Sequence, residues 1–408
     1  MSGDGAFVAG ELLRDAGRVL PDAVELRRRI HHHPELGLEL PVTQATIVEA
    51  LRDLDLDVRT GDDDVSSVVA DLRGGAAHPD GPVILLRADM DALPMPEDAD
   101  VAYASEVDGT MHACGHDAHV AMLVGAAHLL VERRADLAGS VRFMFQPGEE
   151  GWDGAGAMID EGVLTAAGRK ADWAYGIHVM SSVLPRGVFA GRPGPLMAAS
   201  DGLFVRVIGA GGHGSRPHSA LDPVQCAAEM VTALQTMVSR RIDAFEPNVI
   251  TVGTFHAGTR RNIIPDEAMF EATVRSFNPE VREQLAKYTV QVCEGIAAAH
   301  GLQVEARYEQ EYPVTVNDAA EAAFTADAVR NTFGEERYFE MPTPVTGSED
   351  FSRVLENVPG AYLFLGACTT DDPDSAPSNH SPRAAFDDSV VGDGAAFLAD
   401  VALRRLAV

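Results

Sequence analysis

The chain has 408 residues, 46% of them hydrophobic, and a formal charge of −30. That length exceeds one ordinary core and predicts two domains, and the hydrophobic fraction excludes a disordered chain. The acidic surplus argues against nucleic-acid or anionic-membrane partners, which demand clustered Lys and Arg, and no window is apolar for long enough to span a bilayer.

Glu11, Arg14 and Asp15 interrupt every apolar run of the first twenty residues, so no secretory core is expected there and the cytoplasm is the expected address. Residues 12–31 predict a helix, and 41–53 another after breaks at Pro34 and Gly37. Apolar runs over 67–71, 83–87, 141–145, 173–179 and 361–365 have strand character, and 117–134 predict a helix with an apolar face. Helix and strand alternate through the first half, which suggests βαβ units. The order changes after Gly191–Pro195, a stretch with two glycines and two prolines that suits a hinge. Strand 202–208, helix 222–241, strands 248–256 and 268–276, helix 279–300 and strand 302–309 follow in a ferredoxin-like order. The first pattern then resumes with helix 316–333. The expected fold class is α/β: a mostly parallel sheet flanked by helices over 1–196 and 311–408, with an inserted α+β domain over 197–310.

Several strand-like runs end in polar, metal-competent residues. Run 83–87 leads into Asp89 and Asp91, run 141–145 into Gln146, Glu149 and Glu150, and run 173–177 into His178. Ligands of open parallel sheets bind beyond the carboxyl ends of the strands, so pattern and chemistry point to one edge. Met111-His112-Ala113-Cys114-Gly115-His116-Asp117-Ala118-His119 is the densest cluster. A Cys and a His two apart across a glycine can turn toward one ion, and thiolate and imidazole suit zinc and related metals. The competing reading is a polar loop with a free thiol. Asp117 is placed to cap the following helix, and His112 and His119 read as packing or supporting residues. Glu149 and Glu150 repel each other unless a cation lies nearby. Their flanking glycines allow a tight turn, so that one ligates a metal while the other abstracts a proton; the competing reading is a solvated acidic turn. His178 alone reads as a core histidine and His380 alone as a loop residue. Gly211-Gly212-His213-Gly214-Ser215-Arg216-Pro217-His218 is glycine-rich but lacks the ending of a phosphate loop. Arg260-Arg261-Asn262 offers two cations and an amide to a substrate carboxylate, or is a hairpin with solvated arginines. Cys226 and Cys293 read as core, and the four cysteines form neither a metal knuckle nor a disulfide framework.

Taken together and in order, segments 29–36, 86–94, 111–119, 145–151, 176–179, 211–218, 262–265, 348–352 and 379–382 resemble a known family. It is the family of metallopeptidase-like amidohydrolases that includes hippurate hydrolase, aminoacylases and the plant auxin-conjugate hydrolases. The resemblance implies a catalytic domain and an inserted lid, assembly as a homodimer or homotetramer through that lid, and hydrolysis of an N-acyl amino acid. By motif position it implies two divalent ions, zinc or manganese with cobalt or nickel open, on Cys114, His116, Glu150, His178 and His380. It further implies Glu149 as general base and Asp91 as a carboxylate steadying the ligands. His213 falls at the position of an oxyanion-supporting lid histidine and Asn262 at that of a lid residue that contacts substrate, and Arg261 and His218 are expected to bind substrate beside it. A dipeptidase or carboxypeptidase is the alternative within the family. A thiol enzyme using Cys114 is disfavoured, because neighbouring carboxylates raise a thiol's pKa. Two departures stand out: Gly148 where alanine is usual, expected only to loosen the turn, and Met180-Ser181-Ser182 where relatives often carry another loop.

Overall fold

The computed structural model describes residues 4–61, 64–78 and 80–407. They form two compact units. The first holds the residues up to Leu196, Val316–Thr343 and those from Arg353 onward; the second holds Met197–Thr315 and Pro344–Ser352.

The first unit is built on an eight-stranded sheet. Its spatial order is Asp57–Thr60, Val68–Arg73, Ser140–Gln146, Val83–Asp89, Trp173–Met180, Gly360–Gly366, Phe189–Gly191 and Tyr338–Glu340. The four central strands run parallel, and antiparallel pairings appear toward both edges. Strands Val83–Asp89 and Gly360–Gly366 are buried along their whole length. Such runs belong to parallel sheets covered on both faces. The three short strands Asp57–Thr60, Phe189–Gly191 and Tyr338–Glu340 carry no apolar run long enough to announce them. The helix Asp4–His32 and the helix Val390–Leu406 pack on the helix His116–Glu132. The last two approach closely through small residues: a Cβ on Gly125 would lie 3.0 Å from Cβ of Ala395, and one on Gly394 2.3 Å from Sδ of Met122. This packing fixes the start of His116–Glu132, where the densest polar cluster of the sequence sits.

The second unit is an antiparallel sheet in the order Asn248–Ala257, Glu267–Ser276, Ala199–Ile208, Gln303–Tyr312. With the helices Pro223–Arg241 and Pro279–His300 this is a split βαββαβ arrangement. Both helices begin with proline behind a side-chain cap: Asp222 accepts from the N–H of Val224, and Asn278 from that of Glu280. Strand Glu267–Ser276 alternates buried and solvent-facing residues, so one face packs Phe270 and Val274 with Leu203, Met230 and Leu285. The unit extends past residue 310 because its last strand runs to Tyr312. It also takes back Pro344–Ser352, since Ala198 donates to the carbonyls of Val345 and Gly347. Among the described residues no helix is long and apolar enough to cross a membrane.

Candidate metal centre

Strand Val83–Asp89 delivers Asp89 and, just beyond it, Asp91. Both are buried. The Asp91 carboxylate accepts from the backbone N–H of Glu149 through Oδ1 and of Glu150 through Oδ2, each at 3.0 Å. One carboxylate thereby sets the backbone of both glutamates. The same residue's carbonyl accepts from Nδ1–H of His116 at 2.9 Å. That bond orients the ring and leaves Nε2 of His116 as the nitrogen that can ligate a metal.

His178 is arranged alike. Its Nδ1–H donates to the carbonyl of Val179 at 2.8 Å, and its Nε2 lies 3.3 Å from Sγ of Cys114. Nε2 of His380 approaches the same sulfur at 3.2 Å and Oε1 of Glu150 at 3.2 Å. Two sets of donor atoms result, each compact enough for one ion and both containing the thiol: Cys114, His116 and His178, and Cys114, Glu150 and His380. Nε2 of His116 is buried without a hydrogen-bond partner. An unsatisfied buried ring nitrogen is costly, and here it faces the same thiol and carboxylate. This donor set fits divalent cations.

Without a metal, burial opposes charge on His116, but Asp89 and Cys114 outweigh it and hold the ring well above the usual imidazole range. Cys114 and Glu150 push His380 up to about 10, so both rings give up a proton on binding a cation. Burial pushes the Cys114 thiol up, and the Glu150 carboxylate adds to the effect, so the sulfur becomes a thiolate only when a cation compensates it. Burial and the neighbouring His119 hold His178 down to about 3, which keeps its ring neutral and its Nε2 lone pair available. Burial opposes charge on Glu150, yet His380 and His116 outweigh it and keep the carboxyl ionised to lower pH.

Gly115 turns the chain between Cys114 and His116 with φ of 87°, in the left-handed region that favours glycine. Gly148, ahead of Glu149, has φ of 70°, and a Cβ there would lie 2.5 Å from Cδ2 of Leu38. The looser turn expected of glycine at this position is therefore corrected: the turn is closed, and glycine fits its backbone. Asp117 also departs from expectation. The helix N-cap is Gly115, and Asp117 lies within the first turn, where it accepts from Nε–H of Arg27 and pairs with His31, each at 2.9 Å. An ionised carboxylate inside the first turn still meets the positive end of the helix dipole.

The profile of peptidase family M20/M25/M40 matches residues 85–404. The chain belongs to this family. Over 397 residues it is 39% identical to thermostable carboxypeptidase 2 of Saccharolobus solfataricus, covering 97% of this chain and 98% of the relative. It is 35% identical over 380 residues to an N-acetylcysteine deacetylase of Bacillus subtilis, covering 93% and 96%. Among solved structures, the Bacillus subtilis YXEP protein, described as a dinuclear metal binding peptidase, superposes with a TM-score of 0.80. The identity is 32%, over 96% of this chain and 99% of that one. This M20 family member is a metal-dependent hydrolase, and its clusters of candidate ligands fit two divalent ions.

The remaining residues singled out in the sequence of this M20 protein lie in its second unit. His213 pairs with Ile263 in a two-residue ladder, and the N–H of Gly214 donates to the carbonyl of Asn262, so His213 and Asn262 are neighbours. Nδ1 of His213 accepts from the N–H of Ser215 at 3.2 Å, which leaves Nε2 to carry the proton of the neutral ring. A cleft of about 720 Å³ is lined by Gly214, Pro217, Arg260, Arg261 and Ile263, and His218 is exposed in the short turn beside Pro217.

Two groups support the centre: His119, read from sequence as a packing or supporting residue, and Arg87, which had no role assigned from sequence. His119 donates from Nδ1 to Asp89 and accepts from the N–H of Val179 at Nε2, which ties the helix start to the strand of His178. Arg87 donates to Asp89 at 2.6 Å and to Gln146 at 2.9 Å, joining two strand ends. Burial alone would raise the Asp89 pKa, but Arg87, His116 and His119 outweigh it and hold the carboxyl well below the usual range. An arginine inside a buried apolar strand was the available signal for Arg87.

Proposed function

We propose that the protein hydrolyses N-acyl amino acids, of the hippurate or acetyl-amino-acid type, to a carboxylic acid and a free amino acid. The observation that carries this reading is the sharing of Cys114 by two ligand sets, with Glu149 and Glu150 seated side by side on Asp91. Cys114, His116, Glu150, His178 and His380 hold the two ions, and Asp91 steadies the turn that carries both glutamates. Zinc suits the thiolate, and the nitrogen and oxygen donors also admit manganese. When bound, such ions polarise a carbonyl and acidify a water. Glu149 takes the proton of the attacking water on its carboxylate and returns it to the leaving amine.

We extend the proposal to the second unit, read as a lid and as the surface of a homodimer. His213 donates from Nε2 to the developing oxyanion, and Asn262, Arg261 and His218 hold the substrate, the guanidinium by its carboxylate. The deacetylase name of one relative supports N-acyl substrates. A second reading, carboxypeptidase action on peptides, is favoured by the name of the relative at 39% identity. Parallel assays of hippurate, N-acetyl amino acids and dipeptides separate the two. Turnover of dipeptides alone would overturn the first reading in favour of the second.

A further inference from the structure

We propose that Asn379 is a positioning residue that aligns His178 and His380 on Cys114, and that losing its side chain disperses the metal ligands while the fold persists. The inference rests on the ligand assignment above and goes beyond it to a residue outside that set.

Nδ2 of Asn379 donates to the carbonyl of Cys114 at 3.1 Å and to that of Val179 at 2.9 Å. Oδ1 accepts from the backbone N–H of Ser181 at 2.9 Å. The orientation of the amide is forced, because two of its partners can only accept and the third can only donate. The Ser181 hydroxyl, 3.0 Å from Oδ1 and 2.8 Å from the carbonyl of Pro377, shares its one proton between them.

These partners lie on the segments that bring ligands together. Cys114 is itself a ligand. The Val179 carbonyl that receives Asn379 also receives Nδ1–H of His178, so one oxygen orients the histidine and anchors the asparagine. His380 is the next residue. It sits at φ of 65°, a left-handed conformation uncommon for a residue with a side chain, and its N–H donates to the carbonyl of Ala113. A conformation of that kind persists only where its surroundings over-determine it. The Asn379 amide supplies three of those constraints. The N–H of Val183 donates to the carbonyl of Pro373, a further stitch between the loop after His178 and the loop before His380. Ser181 lies in Met180-Ser181-Ser182, the segment expected to differ from the family, and here it holds the His380 loop.

Cobalt(II) titration of the full-length, metal-stripped protein tests the proposal, because a thiolate ligand gives a charge-transfer absorption that a merely structural role would leave unchanged. The wild type is expected to show the band. Asn379→Leu, close in size but without hydrogen bonds, is expected to weaken cobalt binding by about 10–100-fold, the usual cost of losing a group that orients a ligand. It is also expected to lose most of the band at saturating metal, with the far-ultraviolet circular dichroism of the metal-free chain retained. Asn379→Ala serves if the leucine variant does not fold. Wild-type affinity and band intensity in either variant would overturn the clamp. A wild type that binds cobalt without the band would overturn the assignment of Cys114, a failure distinct from the first.

Discussion

Replacing Gly115 by alanine tests whether the turn between Cys114 and His116 sets the centre. Gly115 has φ of 87° and ψ of 18°. An L residue in that region costs about 1–2 kcal/mol from its own backbone. The added Cβ would also lie 2.4 Å from Cγ2 of Val179 and 3.0 Å from Cε1 and Cζ of Phe386. Both neighbours are buried, so neither swings into solvent, and overpacking of this kind costs about 1–3 kcal/mol more. The expected destabilisation of the metal-free protein is about 2–5 kcal/mol, read from urea unfolding. Relief can come only by moving the helix start that carries His116 or the Val179 strand whose carbonyl orients His178, so metal content after dialysis should fall as well. Gly148→Ala is the comparison. Its φ is 70°, but the nearest atom is the free end of Leu38, so the cost is nearer the backbone figure of about 1–2 kcal/mol. A Gly115→Ala protein that loses less than its Gly148→Ala counterpart and keeps full metal content would refute the reasoning.

Glu149→Gln should retain two ions per chain by elemental analysis and lose about 10²–10⁴-fold in turnover, the usual contribution of a general base; undiminished turnover would remove Glu149 from that role. In the second unit the buried Asp201 carboxylate accepts from Arg282, from the Tyr308 hydroxyl at 2.8 Å and from the N–H of Glu311 at 3.2 Å. Asp201→Ala strands a guanidinium that is only 11% exposed, and should cost about 3–5 kcal/mol in urea unfolding without altering metal stoichiometry. Burial opposes charge on His31, but Asp117 and Glu97 outweigh it and push its pKa up to about 9. The folded value lies above the unfolded value of about 6.5, so this stabilisation is complete below about pH 6.5 and is lost as pH rises through about 9. In the metal-free protein, His31→Gln should flatten that decline, and an unchanged slope would count against the assignment.

The central strands were legible because burial on both faces forces uninterrupted apolar runs, as along Val83–Asp89 and Gly360–Gly366. The edge strand Asp57–Thr60, with charged residues at Asp57 and Arg59, satisfies its pairing through backbone bonds to Val68–Arg73 and needs no such run. The same division holds at the centre. Cys114 and His116 stand two apart in a polar cluster, and their chemistry shows in the chain itself. His178 reaches Cys114 across 64 residues and His380 across 266, through the parallel pairing of Trp173–Met180 with Gly360–Gly366 and the loop that follows. Spacing cannot encode a contact made by sheet order, which is why each histidine read alone looks structural and only the ordered family motifs point to it.

Asp91 shows what the geometry adds to the sequence pattern. The family resemblance implies a carboxylate at Asp91 that steadies the ligands. The Asp91 carbonyl serves His116 in that way, while its carboxylate turns to the amides of Glu149 and Glu150. Two adjacent glutamates can then occupy one turn, since the backbone of each is fixed by the same carboxylate, and their carboxylate oxygens lie close enough to His116 to share a cation. Glu150 joins Cys114 and His380 in a ligand set, and Glu149 stays outside both sets that contain the thiol. The repulsion between the pair, which read alone argues for a solvated acidic turn, becomes a reason for cations to bind there. Glu149, the acid–base group of the proposed reaction, is held beside Glu150 by the same Asp91 carboxylate.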